Sequence, residues 1–213
     1  VASGTEAYYA FDYGDVHFIV LDSYDLSRSA TGTMATWLKS DLMANQREWT
    51  IVYFHHPPYT AGSHNDFETE IREMRANILP ILESAGVDLV LAGHSHIYER
   101  SYLVNGAYYL SAVDVTGKIL DMGAGREGTG TGAYRKPAGQ VANAGTVYVV
   151  AGHGGQGTSG PANHPIMFFS EKENGSCLVD IAGNRADLIN LRNDGQVSDR
   201  FTLIKGTGGG AGC

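Results

Sequence analysis

Two short apolar runs, each ending abruptly in a pair of histidines, constrain this chain more than any other feature. Trp49 to Phe54 runs into HHPPY, and Asp88 to Ala92 runs into GHSH. Runs this short and rich in Val, Ile and Leu suit buried strands rather than helices. Pro57 and Pro58 lack the N–H that a ladder needs and push the preceding residue out of helical geometry, which predicts a loop over residues 55 to 66. Within Glu68 to Ser84, Ile71, Met74, Ile78, Ile81 and Leu82 recur at helical spacing, and Gly86 stands where a helix stop belongs. Strand, loop, helix and strand in this order predict a βαβ unit, whose working loops collect at the carboxyl ends of the strands. Both histidine clusters fall on such ends.

Upstream, GDVHFIVLD (residues 14 to 22) predicts a buried strand with His17 inside it, and Met34, Trp37, Leu38 and Leu42 predict a helix over 34 to 45. After Arg100 the chain changes to shorter strands, expected at Ala107 to Ala112, Thr146 to Ala151, Ser176 to Ile181, Ala186 to Leu191 and Phe201 to Ile204. Turns such as Gly183-Asn184 and Asn193-Asp194-Gly195 divide them, which reads as a largely antiparallel second sheet. The fold class is α/β with mixed β-sheets and flanking helices. A length of 213 residues suits one domain, taken as residues 1 to 205, and the closing residues 206 to 213 read as a Gly-rich linker or tail.

The formal charge of -8 excludes a protein that grips nucleic acid or anionic lipid through its overall field. A phosphate-ester substrate would then need local positive charge, which bound metal ions supply. No stretch of about 18 apolar residues occurs, so no membrane span is expected. The opening VASGTEAYYA lacks a signal-peptide pattern, and the cysteines, Cys177 and Cys213, fix neither a disulfide framework nor a redox compartment.

Eight histidines are present, at 17, 55, 56, 64, 94, 96, 153 and 164. In Gly93-His94-Ser95-His96 two imidazoles lie two residues apart just past a buried strand, so both enter one cleft if the loop leaves strand geometry. Neutral imidazole is a preferred ligand for transition metals. An HxH alone is a weak motif, but His55 and His56 bring further imidazoles to the same sheet edge, where the bland alternative is that they only cap a strand. His17 reads as a satisfied core histidine, and His153 in AGHGGQG as a turn residue or, alternatively, a pocket-lining one.

GHSHIYER, or GHxHxYER over residues 93 to 100, resembles the purple acid phosphatase signature, and HHPPYTAGSH resembles the histidine loop before it. AYYAFDYGDVHFIVLDSY and GTVYVVAGHGG are also similar to segments of bacterial members, so the resemblance spreads over roughly residues 5 to 205. The chain is thereby identified as a purple-acid-phosphatase-like member of the calcineurin-like metallophosphoesterases, carrying the C-terminal half of the catalytic domain. The resemblance implies sheets packed as a sandwich flanked by helices. It makes His55 and His94 ligands of one metal and His96 a ligand of the other, with Fe, Zn or Mn as the ions. His64 resembles the family's histidine that contacts phosphate or protonates the leaving group, and His56 would orient the loop. Tyr98, Glu99 and Arg100 would be structural partners, with Glu99 and Arg100 paired to each other.

The implied activity is phosphoester hydrolysis through a metal-bound hydroxide, of the acid-phosphatase, phosphomonoesterase type, in a secreted or periplasmic protein. Alternatives are a phosphodiesterase or nucleotide phosphohydrolase, a non-catalytic phosphate- or partner-binding module, and a single zinc site on His55, His94 and His96. Upstream motifs of the DxG, GDxxY and GNHE kind are not found before residue 55, and Asp12, Asp15 and Asp22 do not stand in those contexts. The bridging carboxylates are therefore expected from a missing N-terminal half, in cis or as a separate fragment. Without that half, an exposed sheet edge and a bare apolar face are expected.

Overall fold

The βαβ unit forms as read from the sequence in a computed structural model that describes residues 1–109 and 115–206. In chain order the elements are β1 (Tyr9–Tyr13), β2 (Val16–Val20), α1 (Thr33–Ala44) and β3 (Trp49–Phe54). Next, α2 (Thr69–Glu73) runs through a π-helical turn (Met74–Ile78) into α3 (Leu79–Ser84), followed by β4 (Leu89–Ala92). Gly86 ends that helix at φ +76°, which glycine accepts without strain. The remaining strands are β5 (Tyr98–Ser101), β6 (Leu103–Val104), β7 (Ile119–Asp121), β8 (Tyr134–Lys136), β9 (Val147–Ala151), β10 (Met167–Glu171), β11 (Gly175–Ala182), β12 (Arg185–Arg192) and β13 (Val197–Lys205).

Seven strands make a large sheet in the order β1-β2-β3-β4-β9-β5-β10, and a second sheet has the order β11-β12-β13-β8. Strands β2, β3, β4 and β9 are mutually parallel. One expectation is corrected here, and the largely antiparallel character of the second sheet holds. Thr146 to Ala151 belongs to the large sheet as a central parallel strand rather than to the second sheet. The second sheet is antiparallel through β11, β12 and β13, but β8 joins it in parallel. Of the strand expected over residues 107 to 112, residues 107–109 are not in a strand and 110–112 lie outside the described residues. The tail from 207, with Cys213, also lies outside them.

Alternation along the parallel strands explains the layers. Val52 and Val90 face one side, where Leu38, Ile78 and Leu82 of the helices cover them, and Ile51 and Leu89 face the other, against Leu188, Phe201 and Leu203 of the second sheet. Each such side chain, once buried, contributes about 1.5–3 kcal/mol. Polar pins cross the second interface. Arg100, fully buried, gives bidentate contacts to Asp199, with Nε–Oδ2 at 2.6 Å and Nη2–Oδ1 at 2.9 Å. Lys136 and Lys205 both reach Asp88, at 2.6 and 3.1 Å. No described helix is long and apolar enough to cross a membrane.

Candidate metal centre

Pairing of Phe54 with Ala92 brings the ends of β3 and β4 level, and the Gly93 N–H donates to the His55 carbonyl at 3.0 Å just beyond it. The two histidine loops therefore leave the sheet side by side. His94 takes φ +60°, a left-handed conformation that costs a residue with a Cβ roughly 1–2 kcal/mol. Such strain persists only where the surroundings hold it. Here the turn is held from both sides: the His96 N–H donates to Ser63 Oγ at 2.8 Å, and Gly152, at the end of β9, packs so closely that a Cβ there would sit 2.0 Å from the Ser95 carbonyl oxygen.

The strain aims the His94 ring into a cluster. His55 Nε2 lies 3.1 Å from His94 Nδ1, and the rings of His64 and His94 lie with centroids 3.7 Å apart. Glu68 closes the cluster, its carboxylate accepting from His64 Nδ1 and His94 Nε2, each at 2.8 Å. His56 is buried behind: the Ser23 hydroxyl accepts its N–H at 2.9 Å and donates to its Nδ1 at 3.1 Å, while Tyr24 stacks on the ring. The His96 ring stands 6.3 Å from that of His64, edge to face. Among the described residues, two groups of metal-type donor atoms lie within 4.8 Å of one another, His55–His56–His94 and His64–Glu68–His94; His96 is in neither.

The electrostatics favour the neutral form at His55 and His56. Partial burial, then the neighbouring rings, lower the pKa of His55 and His56. Burial works to raise the Glu68 pKa, but the hydrogen bonds from His94 and His64 outweigh it and hold the carboxyl below its usual range. Within each group the donor atoms lie no more than 4.8 Å apart, against the roughly 3.3 Å expected between neighbouring ligands of a tetrahedral zinc with bonds of about 2.0–2.1 Å, so a modest closure of the side chains would bring three donors onto one ion. The donor set thus fits a borderline transition metal.

Glu99 and Arg100 do not pair with each other, which corrects the sequence expectation. Successive residues of β5 point to opposite sides, so Arg100 meets Asp199 while Glu99 accepts from Thr60 Oγ1 at 2.6 Å and from the Ala61 N–H at 3.0 Å. Glu99 thereby clasps the base of the loop that carries His64. Tyr98 donates its hydroxyl to Asp199 at 2.9 Å. His17 is buried between Asp12 and Asp41, each 2.7 Å from a ring nitrogen, as a core histidine should be. His153 is buried against Asn190 at 2.8 Å rather than sitting in an open turn. Glu68 is the residue the sequence reading missed, and it supplies a carboxylate where none was expected from this segment. The only sequence signal for it is the His64-x-x-x-Glu68 spacing at a helix start.

Residues 1–98 match the family described as calcineurin-like phosphoesterase. Purple acid phosphatase 18 of Arabidopsis thaliana is 43% identical over 107 residues, covering 48% of this chain and 24% of the relative. A phosphoenolpyruvate phosphatase of Allium cepa is 35% identical over 111 residues, covering 51% of this chain and 22% of the relative. The fold matches that of a purple acid phosphatase isolated from yellow lupin (Lupinus luteus) seeds with a TM-score of 0.71 and 21% identity, over 93% of this chain and 33% of that one. The chain therefore spans about a quarter to a third of the length of these relatives. Over its first 98 residues the chain resembles the calcineurin-like phosphoesterase family, and it is similar to part of the purple acid phosphatases in sequence and in fold.

Proposed function

We propose that this chain supplies the histidine-bearing part of a binuclear metal centre that hydrolyses phosphate monoesters. The convergence of two strand-end loops, which brings His55, His64 and His94 together at one sheet edge, carries this reading. In it His55 and His94 hold one ion and His96 the other, both drawn from Fe, Zn or Mn. Such ions, when bound, polarise phosphoryl oxygens and favour ionised water at neutral pH. His64 stands beside them to bind phosphate or donate a proton to the departing oxygen, while His56, Tyr98, Glu99 and Arg100 hold the loops in register.

The reading also needs a complementary N-terminal half, in cis or as a separate fragment, to bring the remaining carboxylate ligands. An open groove of about 480 Å³ lined by Phe18, Tyr53, Leu91, Val179 and Ile181 supports this, because it leaves apolar sheet surface bare between the two sheets. A second open groove runs from Tyr53 and Leu91 to His55 and Gly93, next to the cluster. The domain then comprises residues 1 to 205, followed by a Gly-rich linker or tail over 206 to 213, in a secreted or periplasmic protein.

The test is metal content and turnover of p-nitrophenyl phosphate and bis-p-nitrophenyl phosphate by the longer polypeptide. About two ions per site and preference for the monoester are expected. His64→Ala should lower turnover about 10²- to 10⁴-fold. Diester preference would move the reading to a phosphodiesterase, and full turnover after His96→Ala would end the two-metal assignment.

A further inference from the structure

We propose that His64, Glu68 and His94 form a zinc site that this chain holds by itself, one ion with Glu68 as its charged ligand. The proposal concerns this chain by itself rather than the completed two-metal centre: it shares His94 with that reading, makes His64 a ligand instead of a proton donor, and uses neither His55 nor His96 as a ligand.

Three separate observations converge on Glu68. Its carboxylate lies 2.8 Å from a nitrogen of each of two imidazoles on different loops. It stands at the N-cap position of α2 and makes no capping hydrogen bond there. A Ser, Thr, Asp or Asn at that position would strengthen the helix by about 1 kcal/mol, so the helix start gives up a local bond and the side chain is turned toward the histidines instead. The third observation is the strained φ of +60° at His94, which places that ring's Nε2 in front of Glu68.

Charge and proton placement favour this group over the three-imidazole one. His55–His56–His94 offers no anion, and His56 Nδ1 is already bound to the Ser23 hydroxyl. A carboxylate offsets one of the two charges of the ion, and two His with one Glu plus an open position is a known zinc arrangement. Imidazole donors disfavour magnesium and calcium. His64 Nδ1 and His94 Nε2 carry the protons now donated to Glu68. When the ion replaces them, each proton moves to the far nitrogen of its own ring, and His94 Nδ1–H then faces His55 Nε2 at 3.1 Å, a hydrogen bond that orients the ligand.

The experiment is zinc titration of the 213-residue chain, with competing chelator, for the parent, Glu68→Gln, His64→Ala and His96→Ala. Metal-free melting curves of each establish that the variants fold. One zinc per chain and a zinc-dependent rise in Tm are expected for the parent. Glu68→Gln and His64→Ala should each weaken binding by at least about tenfold, with His96→Ala binding as the parent does. Parent-like affinity in Glu68→Gln, or no zinc retained by the parent, overturns the proposal. Weakening by His96→Ala with Glu68→Gln intact overturns it too, but leaves the two-metal reading standing.

Discussion

GHSHIYER divides at Ile97 into two regions with opposite physical characters. Before it, His94 and His96 sit in a strained, partly exposed turn among other imidazoles. After it, Tyr98, Glu99 and Arg100 are fully buried in a regular strand, and each side chain has its polar partner. The buried half includes an ion pair removed from water, where geometry has to be good because desolvation is costly. Asp199 meets that requirement by accepting from Arg100, Tyr98 and Arg126 together. One short motif thus gives its first residues to the proposed metal centre and its last to the seam between two sheets.

The largest expected effect tests the seam. Arg100→Ala leaves Asp199 buried with its main partner gone and should cost about 3–5 kcal/mol, read as a fall in urea midpoint at constant m. A loss under about 1 kcal/mol would mean that the pair is replaceable and the two regions are not so different.

The same pair sets an acid limit. Burial works to raise the Asp199 pKa, but Arg100, Arg126 and Tyr98 outweigh it and hold the carboxyl below its ordinary value. A carboxylate lowered on folding stabilises fully above its unfolded pKa of about 3.9, and that stability is lost as pH falls through the folded value. The Tm should therefore hold from pH 7 to about 5 as far as this group is concerned, then fall, and Asp199→Asn should flatten that acid slope while lowering the plateau. An unchanged slope would remove Asp199 from the account.

A smaller change joins the regions. Gly152 ends a seam strand yet touches the site turn, and a Cβ there meets the Ser95 carbonyl oxygen at 2.0 Å, backbone that has no rotamer to move. Gly152→Ala should cost about 1–3 kcal/mol and weaken zinc retention along with it. Loss of stability with zinc binding untouched would mean that the turn is positioned by its own loop contacts instead.

The site was more legible in the sequence than the seam, for a physical reason. The histidine loops are announced locally, by short apolar runs stopped at His-Pro and Gly-His, and the βαβ order then fixes their adjacency. Glu68 escaped because an acidic residue at a helix start reads as a contribution to the helix rather than to a loop four residues back. Arg100–Asp199 and the two lysines on Asp88 join positions far apart in sequence, which no local period encodes, and neighbouring opposite charges at Glu99 and Arg100 suggested the wrong pair. Strand β9 was placed in the wrong sheet because an apolar run of five does not reveal its neighbours.

The smallest expected effect belongs to the site edge. His55 is exposed, and its ring hydrogen bond goes to the half-buried His94, so His55→Ala at pH 8 should change stability by less than roughly 0.5 kcal/mol. Its pH dependence is the sharper reading. Partial burial and then the rings of His94, His64 and His96 lower the His55 pKa in the folded chain, so the unfolded chain takes up a proton first as pH falls. Stability should then decline as pH drops through the unfolded histidine value of about 6.5, well above the carboxylate window, and His55→Ala should reduce that decline. Zinc at saturating concentration should suppress the same step, because an ion on the neighbouring His94 keeps the cluster from gaining protons. If His55→Ala instead cost about 2 kcal/mol at pH 8, the histidine edge would be part of what holds the fold together, and the division of the motif into a site half and a structural half would fail.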